Sequence, residues 1–293
     1  MERTLMIFGA HVSVAGGLVK ALDYAESVGC ECIQIFAKSP RQWKGASVDR
    51  NAAAAFIDAR QKRGFGPVFT HTAYLINLAT SDEELRERSI AALADELVRG
   101  AILGADGIVT HVGTDPFADP EAAADRVAAA VLAAFELAGP AAEGARLLLE
   151  NTAGAGRSFG GDIAELAACI ARSGLPSERL GICLDTCHAF AHGMPLETAA
   201  GWAEVLSAIE SECGMERLGL VHANDCMFER GSHRDRHAWI GDGHVGIEGF
   251  LGMVCAPQLA DTPACTEMSG EIPEKDVTNI ARLRELRDTC TST

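Results

Sequence analysis

The sequence predicts one closed α/β barrel of eight parallel strands, each followed by a helix: the single (β/α)8, or TIM, architecture. Three observations predict it. A short β-type run, a polar loop and an amphipathic stretch recur along the 293 residues. The β-type runs are continuously apolar, which is how strands read when helices cover both faces of a parallel sheet. And no G-x-G-x-x-G follows a strand, so the open doubly wound sheet, the other arrangement such a repeat permits, lacks its usual mark. No Pro-, Gly- or Ser-rich linker divides the chain, so residues 1–293 are expected to form one domain.

In order, the runs are LMIFGAHV (5–12), CIQIFAK (32–38), PVFTHTA (67–73), GIVTHVG (107–113), RLLLENT (146–152), LGICLDTCH (180–188), LGLVHAND (218–225) and PACTEMS (263–269). The third unit shows the pattern best. Ser81 is the expected helix cap, with Glu84 three residues on, and Leu85, Ile90, Leu93, Leu97 and Val98 then form an apolar stripe. Connections are mostly short. The exception is CMFERGSHRDRHAWIGDGHV (226–245), a long loop after the seventh strand that holds three of the nine histidines; a loop of that length in a compact domain is usually functional.

Bulk composition narrows the classes. No apolar run reaches the roughly 18 residues of a membrane span. Met1 to Thr4 is not followed by a signal-peptide core, so a cytoplasmic protein is expected. Ten cysteines are scattered without a C-x-x-C pair, as free thiols are in a reducing compartment. A cysteine zinc site is not expected, and a disulfide framework still less. The formal net charge of −16, taken alone, argues against a nucleic-acid partner.

The strand ends say otherwise. In such a barrel the active site lies at the C-terminal ends of the strands. His71 ends the third run, His111 the fourth, Glu150 the fifth, Asp185 the sixth, His222 the seventh and Glu267 the eighth. One such histidine is usually a satisfied structural group. Six candidate ligands on one rim are different, because three crowded carboxylates repel one another unless cations neutralise them. His188, three residues after Asp185, can turn to the same rim, and Asp235 and His237 in the long loop form a second pair of the same type. Imidazole and carboxylate without thiolate suit zinc or a similar borderline ion better than magnesium. Nine ligands are too many for one ion; three ions is the natural count.

These residues sit in longer recognisable stretches. GAHVSVAGG, FAKSPRQW, HTAYLINLA, ENTAGAG, LDTCHAFAHG, HANDC, GSHRDRHAWIGDGHVG and CTEM run in order from residue 9 to 268. In them the chain resembles the endonuclease IV family of zinc-dependent apurinic/apyrimidinic (AP) endonucleases. The resemblance implies three zinc ions: one held by His71, His111 and Glu150; a second by Glu150, Asp185, His222 and Glu267; a third by His188, Asp235 and His237. It implies metal-assisted hydrolysis of duplex DNA on the 5′ side of abasic sites, leaving a 3′-hydroxyl and a 5′-deoxyribose phosphate, and removal of blocked 3′ ends. Glu150 and Glu267 would be the catalytic carboxylates. Arg41, Tyr74 and Leu75 would enter the base stack beside the lesion, where composition alone would make Tyr74 and Leu75 core residues and Arg41 a solvated charge. A monomer is expected.

Two departures stand out. Pro40 precedes Arg41 where the family often has Gln, and Met268 follows Glu267 where it usually has Thr. His11 faces the same rim, as a phosphate contact or a structural group, and His192, His233 and His244 take no implied metal role. The acidic total is offset locally by the ions and by rim cations Lys38, Arg41, Lys44, Arg157, Arg230, Arg234 and Arg236, with the excess acid on outer helices. The main rival is a metal-dependent sugar isomerase or epimerase on a xylose-isomerase-like barrel. That chemistry usually works with two metals and a lysine. No lysine ends a strand here, and the Asp235–His237 pair would be superfluous to it.

Overall fold

The computed structural model describes residues 5–114, 119–156, 158–268 and 273–291. Its strands are β1 (Phe8–His11), β2 (Cys32–Phe36), β3 (Val68–His71), β4 (Gly107–His111), β5 (Leu147–Glu150), β6 (Leu180–Asp185), β7 (Leu218–His222), the short β8 (Asp225–Cys226) and β9 (His237–Ala238), and β10 (Ala264–Thr266). All but β8 and β9 are parallel and close into one barrel in the order β1-β10-β7-β6-β5-β4-β3-β2. Between them run helices α1 (Leu18–Ser27), α2 (Arg50–Arg63), α3 (Glu83–Leu103), α4 (Pro120–Ala138), α5 (Ile163–Ser173), α6 (Thr186–His192), α7 (Ala199–Glu212) and α8 (Gly246–Cys255), and α9 (Pro273–Thr291) closes the ring. The predicted barrel is the observed one.

Strand side chains alternate between the barrel interior and the helix layer. Cys32, Phe69, Val109, Leu148, Cys183, Leu220 and Cys265 form one buried interior cluster. This plug is mostly small because a barrel of eight strands leaves little room at its centre. At Gly9 of β1 even a methyl is excluded: a Cβ would lie 1.8 Å from the carbonyl oxygen of Cys32. The next inward-facing residue on each strand lies two positions on. From Phe69 that is His71; from Val109, His111; from Leu148, Glu150. From Cys183 it is Asp185, from Leu220, His222, and from Cys265, Glu267. Chain alternation alone therefore stacks a polar layer on the apolar plug.

Two local expectations are corrected. The helix of the third unit is capped by Asp82, not Ser81: the Asp82 carboxylate accepts from the Leu85 N–H at 3.1 Å, and α3 starts at Glu83. An aspartate one residue nearer the helix wins because it reaches the orphan N–H groups and meets the positive helix end. The long loop is closed at its base by β8 and β9, which pair antiparallel. Finally, the cysteines are not all free. Eight are, but Cys255 at the end of α8 and Cys290 in α9 are joined as a disulfide, with Cα atoms 5.5 Å apart. Their spacing follows from the packing of α9 on α8, which brings residues 35 apart in sequence side by side.

Among the described residues, no helix is long and apolar enough to cross a membrane.

Candidate metal centre

The register places ligands opposite one another: His111 pairs with Glu150 across β4 and β5, and Asp185 with His222 across β6 and β7. Glu267 follows the end of β10 by one residue. Glu150 is fully buried at the centre of the cluster. Its Oε2 lies 3.1 Å from His71 Nε2 and 3.5 Å from His111 Nε2. Its Oε1 lies 3.1 Å from His222 Nδ1, which also faces Glu267 Oε2 at 3.1 Å and Asp185 Oδ2 at 3.8 Å. A third set forms at the β8–β9 loop. Asp235 presents Oδ2 to His188 Nε2 at 3.3 Å and Oδ1 to His237 Nε2 at 3.2 Å.

Asp185 does more than donate an oxygen. It is also the N-cap of α6, its Oδ1 accepting from the His188 N–H at 2.7 Å. That cap is why His188, one turn into a short helix, is held against the same rim. Asp185 Oδ2 also lies 3.8 Å from His237 Nε2, so this carboxylate borders both the second and the third set.

Among the described residues, four donor groups have ligand atoms within 4.8 Å of one another: His71, His111 and Glu150; Glu150, Asp185, His222 and Glu267; Asp185, His188 and His237; and Cys187, Asp235 and His237. A tetrahedral zinc with N and O ligands about 2.0–2.2 Å away has ligand atoms about 3.3–3.6 Å apart, and the separations here run from 3.1 to 3.8 Å. Ring orientation agrees. His71, His188 and His237 direct Nδ1 at backbone carbonyls, those of Thr72 (2.8 Å), Asn151 (3.0 Å) and Glu267 (2.6 Å). An Nδ1–H donated in this way leaves Nε2 as the lone-pair nitrogen facing the cluster, the usual arrangement of ligand histidines. The residues present therefore fit zinc. Cys187 fits less well: the neighbouring Cys226 and burial push its thiol far above the ordinary value, so it stands in the third set as a neutral thiol.

The charges are mutually compensated. Burial opposes ionisation of Glu150, but His111, His222 and His188 hold it well below the usual carboxylate range. Glu267 is lowered against its burial by His222 and His11. Asp235 is lowered against its burial by His188 and His237. Burial likewise opposes charge on the imidazoles. In His188 the carboxylates of Asp185, Asp235 and Glu150 outweigh it, raising the pKa well above normal; in His237 those of Asp235 and Asp185 push it up to about 9. His111 stays lowered by its burial, with the neighbouring His71 and His188 offsetting part of what Glu150 and Glu267 restore.

Several residues that sequence reasoning missed hold this arrangement. Asn224 is buried, gives Nδ2–H to Asp185 Oδ2 at 2.6 Å and accepts the Glu267 N–H at 2.7 Å. Asn151 accepts from the Asp185 N–H at 2.7 Å. Asp225 is fully buried and accepts the N–H groups of Cys226, Gly241, Gly243 and Val245 at 2.8–3.0 Å, which gathers the far end of the long loop at its base. Gln34 lies between His222 and Glu267. Their signal was present: each is a polar residue where a strand, or the residues just after it, would otherwise read as apolar.

The implied DNA-contacting residues flank this rim. Tyr74 is 59% exposed, too open for a core residue; Leu75 is half-buried and Arg41 exposed. The Tyr74 N–H donates to the Pro40 carbonyl at 3.1 Å, so the loops carrying Arg41 and Tyr74 are joined. Tyr74 also lines a cavity of about 650 Å³ with His11, Phe36, Met227, Asp235, His237, Glu267 and Met268. Met268, the departure from Thr, is thus part of the cavity wall. A larger cavity, about 840 Å³, lies away from the ligands, bounded by Arg41, Trp43, Lys44 and Arg88. His11 Nδ1 is 3.2 Å from Glu267 Oε1. His192 and His233 pack edge-on with centroids 5.5 Å apart and lie outside the donor sets; His244 is exposed.

The expected rim cations divide. Lys38 is not a surface charge: its side chain is 2% exposed and binds Asp95 and Glu96 of α3 at 3.0 and 3.3 Å. It also donates to the Trp43 carbonyl at 3.2 Å, which ties the Arg41 loop to that helix. Arg230 pairs with Glu197 at 2.9 Å, and Arg234 stacks on Phe228. Arg41, Lys44 and Arg236 are exposed; Arg157 lies outside the described residues.

Comparison with known proteins agrees with this fold. A family model described as a xylose isomerase-like TIM barrel, AP endonuclease 2, matches residues 22–286. A probable endonuclease 4 of Methanoculleus marisnigri is 42% identical over 96% of this chain and 99% of its own length. The crystal structure of endonuclease IV from Thermus thermophilus superposes with a TM-score of 0.84 at 35% identity, covering 97% of this chain and 99% of that one. A D-tagatose 3-epimerase-like protein shares the fold alone, with a TM-score of 0.73 at 19% identity over 98% of this chain and 99% of its own. The chain belongs to the endonuclease IV family of xylose isomerase-like TIM barrels.

Proposed function

We propose that this protein is a zinc-dependent AP endonuclease of DNA repair that hydrolyses the phosphodiester 5′ to abasic sites in duplex DNA, leaving a 3′-hydroxyl and a 5′-deoxyribose phosphate, and that also removes blocked 3′ ends. One observation carries the reading: Glu150 belongs to two donor sets at once, one oxygen in each. A buried carboxylate so placed suits two adjacent cations. His71, His111 and Glu150 would hold the first ion; Glu150, Asp185, His222 and Glu267 the second; His188, Asp235 and His237 the third. Zinc, when bound, supplies Lewis acidity toward phosphate oxygens and activates water near neutral pH.

The chain's own residues supply the rest. The plug of apolar side chains below Glu150 closes the site from beneath, so substrate approaches only from the rim. Glu267, beside the cavity of about 650 Å³, is placed to orient an attacking water. Tyr74 and Leu75 fill the space left by a missing base, offsetting the unstacking of a kinked duplex, while Arg41, Lys44 and Arg236 meet phosphates. The reading treats residues 1–293 as one domain acting as a monomer in the cytoplasm. A sugar isomerase or epimerase would have no use for an exposed Tyr74 or for the Asp235–His237 pair. The test is nicking of a duplex with one abasic site, resolved by end labelling. Cleavage 5′ to the site, abolished by a chelator and restored by zinc, supports the reading. Turnover of a free sugar with no nicking supports the rival.

A further inference from the structure

Gln34 is fully buried in β2, an amide in an otherwise apolar run. It occupies the inward position two residues beyond Cys32, the place that carries a ligand on each strand from β3 to β7. It cannot itself serve as a good zinc ligand, yet it touches two residues that can. Gln34 Nε2 lies 2.6 Å from Glu267 Oε1, and Gln34 Oε1 lies 2.9 Å from His222 Nε2. The orientation of the amide is settled by chemistry. A carboxylate oxygen has no proton to give, so the group 2.6 Å from it must be the amide NH2. The amide oxygen then faces His222, and His222 must donate to it through Nε2–H.

Both consequences fall on one ion's ligands. With its hydrogen on Nε2, the imidazole keeps the Nδ1 lone pair for the space shared by Glu150, Asp185 and Glu267. His222 thus binds through the nitrogen opposite to that of His71, His188 and His237, and no backbone carbonyl fixes its ring; Gln34 takes that place. With Glu267 Oε1 occupied by the amide, Oε2 is the oxygen left for the ion, and Oε2 is the one 3.1 Å from His222 Nδ1.

We propose that Gln34 is a positioning residue of the second metal site. A single amide sets the tautomer of His222 and the free oxygen of Glu267, so that two ligands arrive in register. This rests on the metal reading above and adds to it a residue that touches neither metal nor DNA. Outer partners of metal ligands typically contribute a factor of about 10–100 in metal affinity.

The experiment uses cobalt(II) as the probe. Metal-free wild type, Gln34→Leu and Gln34→Glu are titrated with cobalt and followed by visible absorption, with thermal melting as a fold check. Nicking kcat and KM are then measured at saturating zinc. Gln34→Leu removes both bonds and the 3.0 Å contact of Gln34 Nε2 with His11 Nδ1; Gln34→Glu keeps the size and the acceptor but removes the donor to Glu267 and His11. Both variants should show one cobalt site weakened about 10–100-fold with an altered spectrum, the remaining sites unchanged, and a fall in kcat with KM for DNA retained. Should Gln34→Leu fail to fold, Gln34→Glu carries the test. Wild-type cobalt affinity and spectrum in a folded variant overturn the proposal, even if its melting temperature drops. Absence of cobalt binding by wild type overturns the metal reading itself.

Discussion

The ring of Tyr74 stands beside the imidazole of His71, centroids 5.6 Å apart. One is an exposed aromatic on a rim loop, the other a buried member of the first donor set. The residue offered to the base stack therefore contacts the metal layer through its side chain and, through its N–H, the Pro40 carbonyl of the Arg41 loop. Neither Tyr74 nor Leu75 belongs to a donor set, so the proposed recognition is separable from the metal chemistry by mutation.

Replacing Tyr74 and Leu75 together by alanine should leave metal content at the wild-type level and lower the melting temperature little, because Tyr74 is mostly solvent-facing. Binding to an intact abasic duplex should weaken by roughly 1–3 kcal/mol, the scale of lost stacking on a base. Loss on a gapped duplex should be smaller, since less unstacking remains to be offset. Equal losses on both duplexes with a clear drop in melting temperature would mean that these side chains are packing residues.

Lys38→Met tests the anchor of the loops that carry Arg41 and Tyr74. Burial already raises the pKa of Glu96 although Lys38 opposes it. Without Lys38, Glu96 loses its cation, and breaking a buried pair costs about 3–5 kcal/mol. Glu96 also accepts the Ala73 N–H at 3.2 Å, so both loops should loosen. The expected result is a lower melting temperature and weaker DNA binding at unchanged metal stoichiometry. A variant as stable as wild type would contradict the role of the pair.

Asp225→Ala addresses the long loop. The backbone donors of Cys226, Gly241, Gly243 and Val245 lose their acceptor, and buried N–H groups left unpaired are costly. The segment carrying Asp235 and His237 should lose its fixed position. Calorimetric titration of the metal-free variant should show the third ion bound more weakly while the set around Glu150 keeps its affinity. Uniform weakening of every site would point to general unfolding instead.

The pH dependence has a definite sign. His237 in the metal-free chain is pushed up to about 9, from an ordinary value near 6.5. A raised folded-state pKa adds stability that is fully present below about 6.5 and lost as pH rises through about 9. His188 and His222 shift in the same direction. The melting temperature of metal-free protein should therefore fall between about pH 7 and 9.5. Zinc needs neutral imidazole, so its apparent affinity should rise over the same window. Melting scans with and without zinc check both; a metal-free melting temperature that climbs across that window would contradict the proton assignment.

Much of this was legible in the sequence because one rule generates it. Apolar alternation in strands fixes which residues face inward, and in β3 to β7 the last inward residue is polar: His71, His111, Glu150, Asp185 and His222. The family-specific stretches then supplied roles that spacing alone could not. What escaped were groups whose meaning is relational. Gln34 reads as a blemish in CIQIFAK until its neighbours His222 and Glu267 are known. Lys38 looked like a surface charge because the acids that bury it, Asp95 and Glu96, lie far along the chain on α3. Asp225 looked like the end of a strand, whereas it is the acceptor that gathers a loop. The Cys255–Cys290 pair depends on how α9 lies on α8, which no local pattern specifies.

The role proposed for Glu150 is to serve two cations in a three-ion site. It is tested most directly by counting zinc per chain, by mass spectrometry under non-denaturing conditions, in wild type and in Glu150→Gln. About three ions are expected in wild type. The amide cannot balance two cations, so the variant should fold, lose the ions of the first two sets, keep the one at His188, Asp235 and His237, and lose nicking by far more than the roughly 100-fold typical of an outer partner. A folded Glu150→Gln variant that retains the full wild-type zinc count would contradict the account.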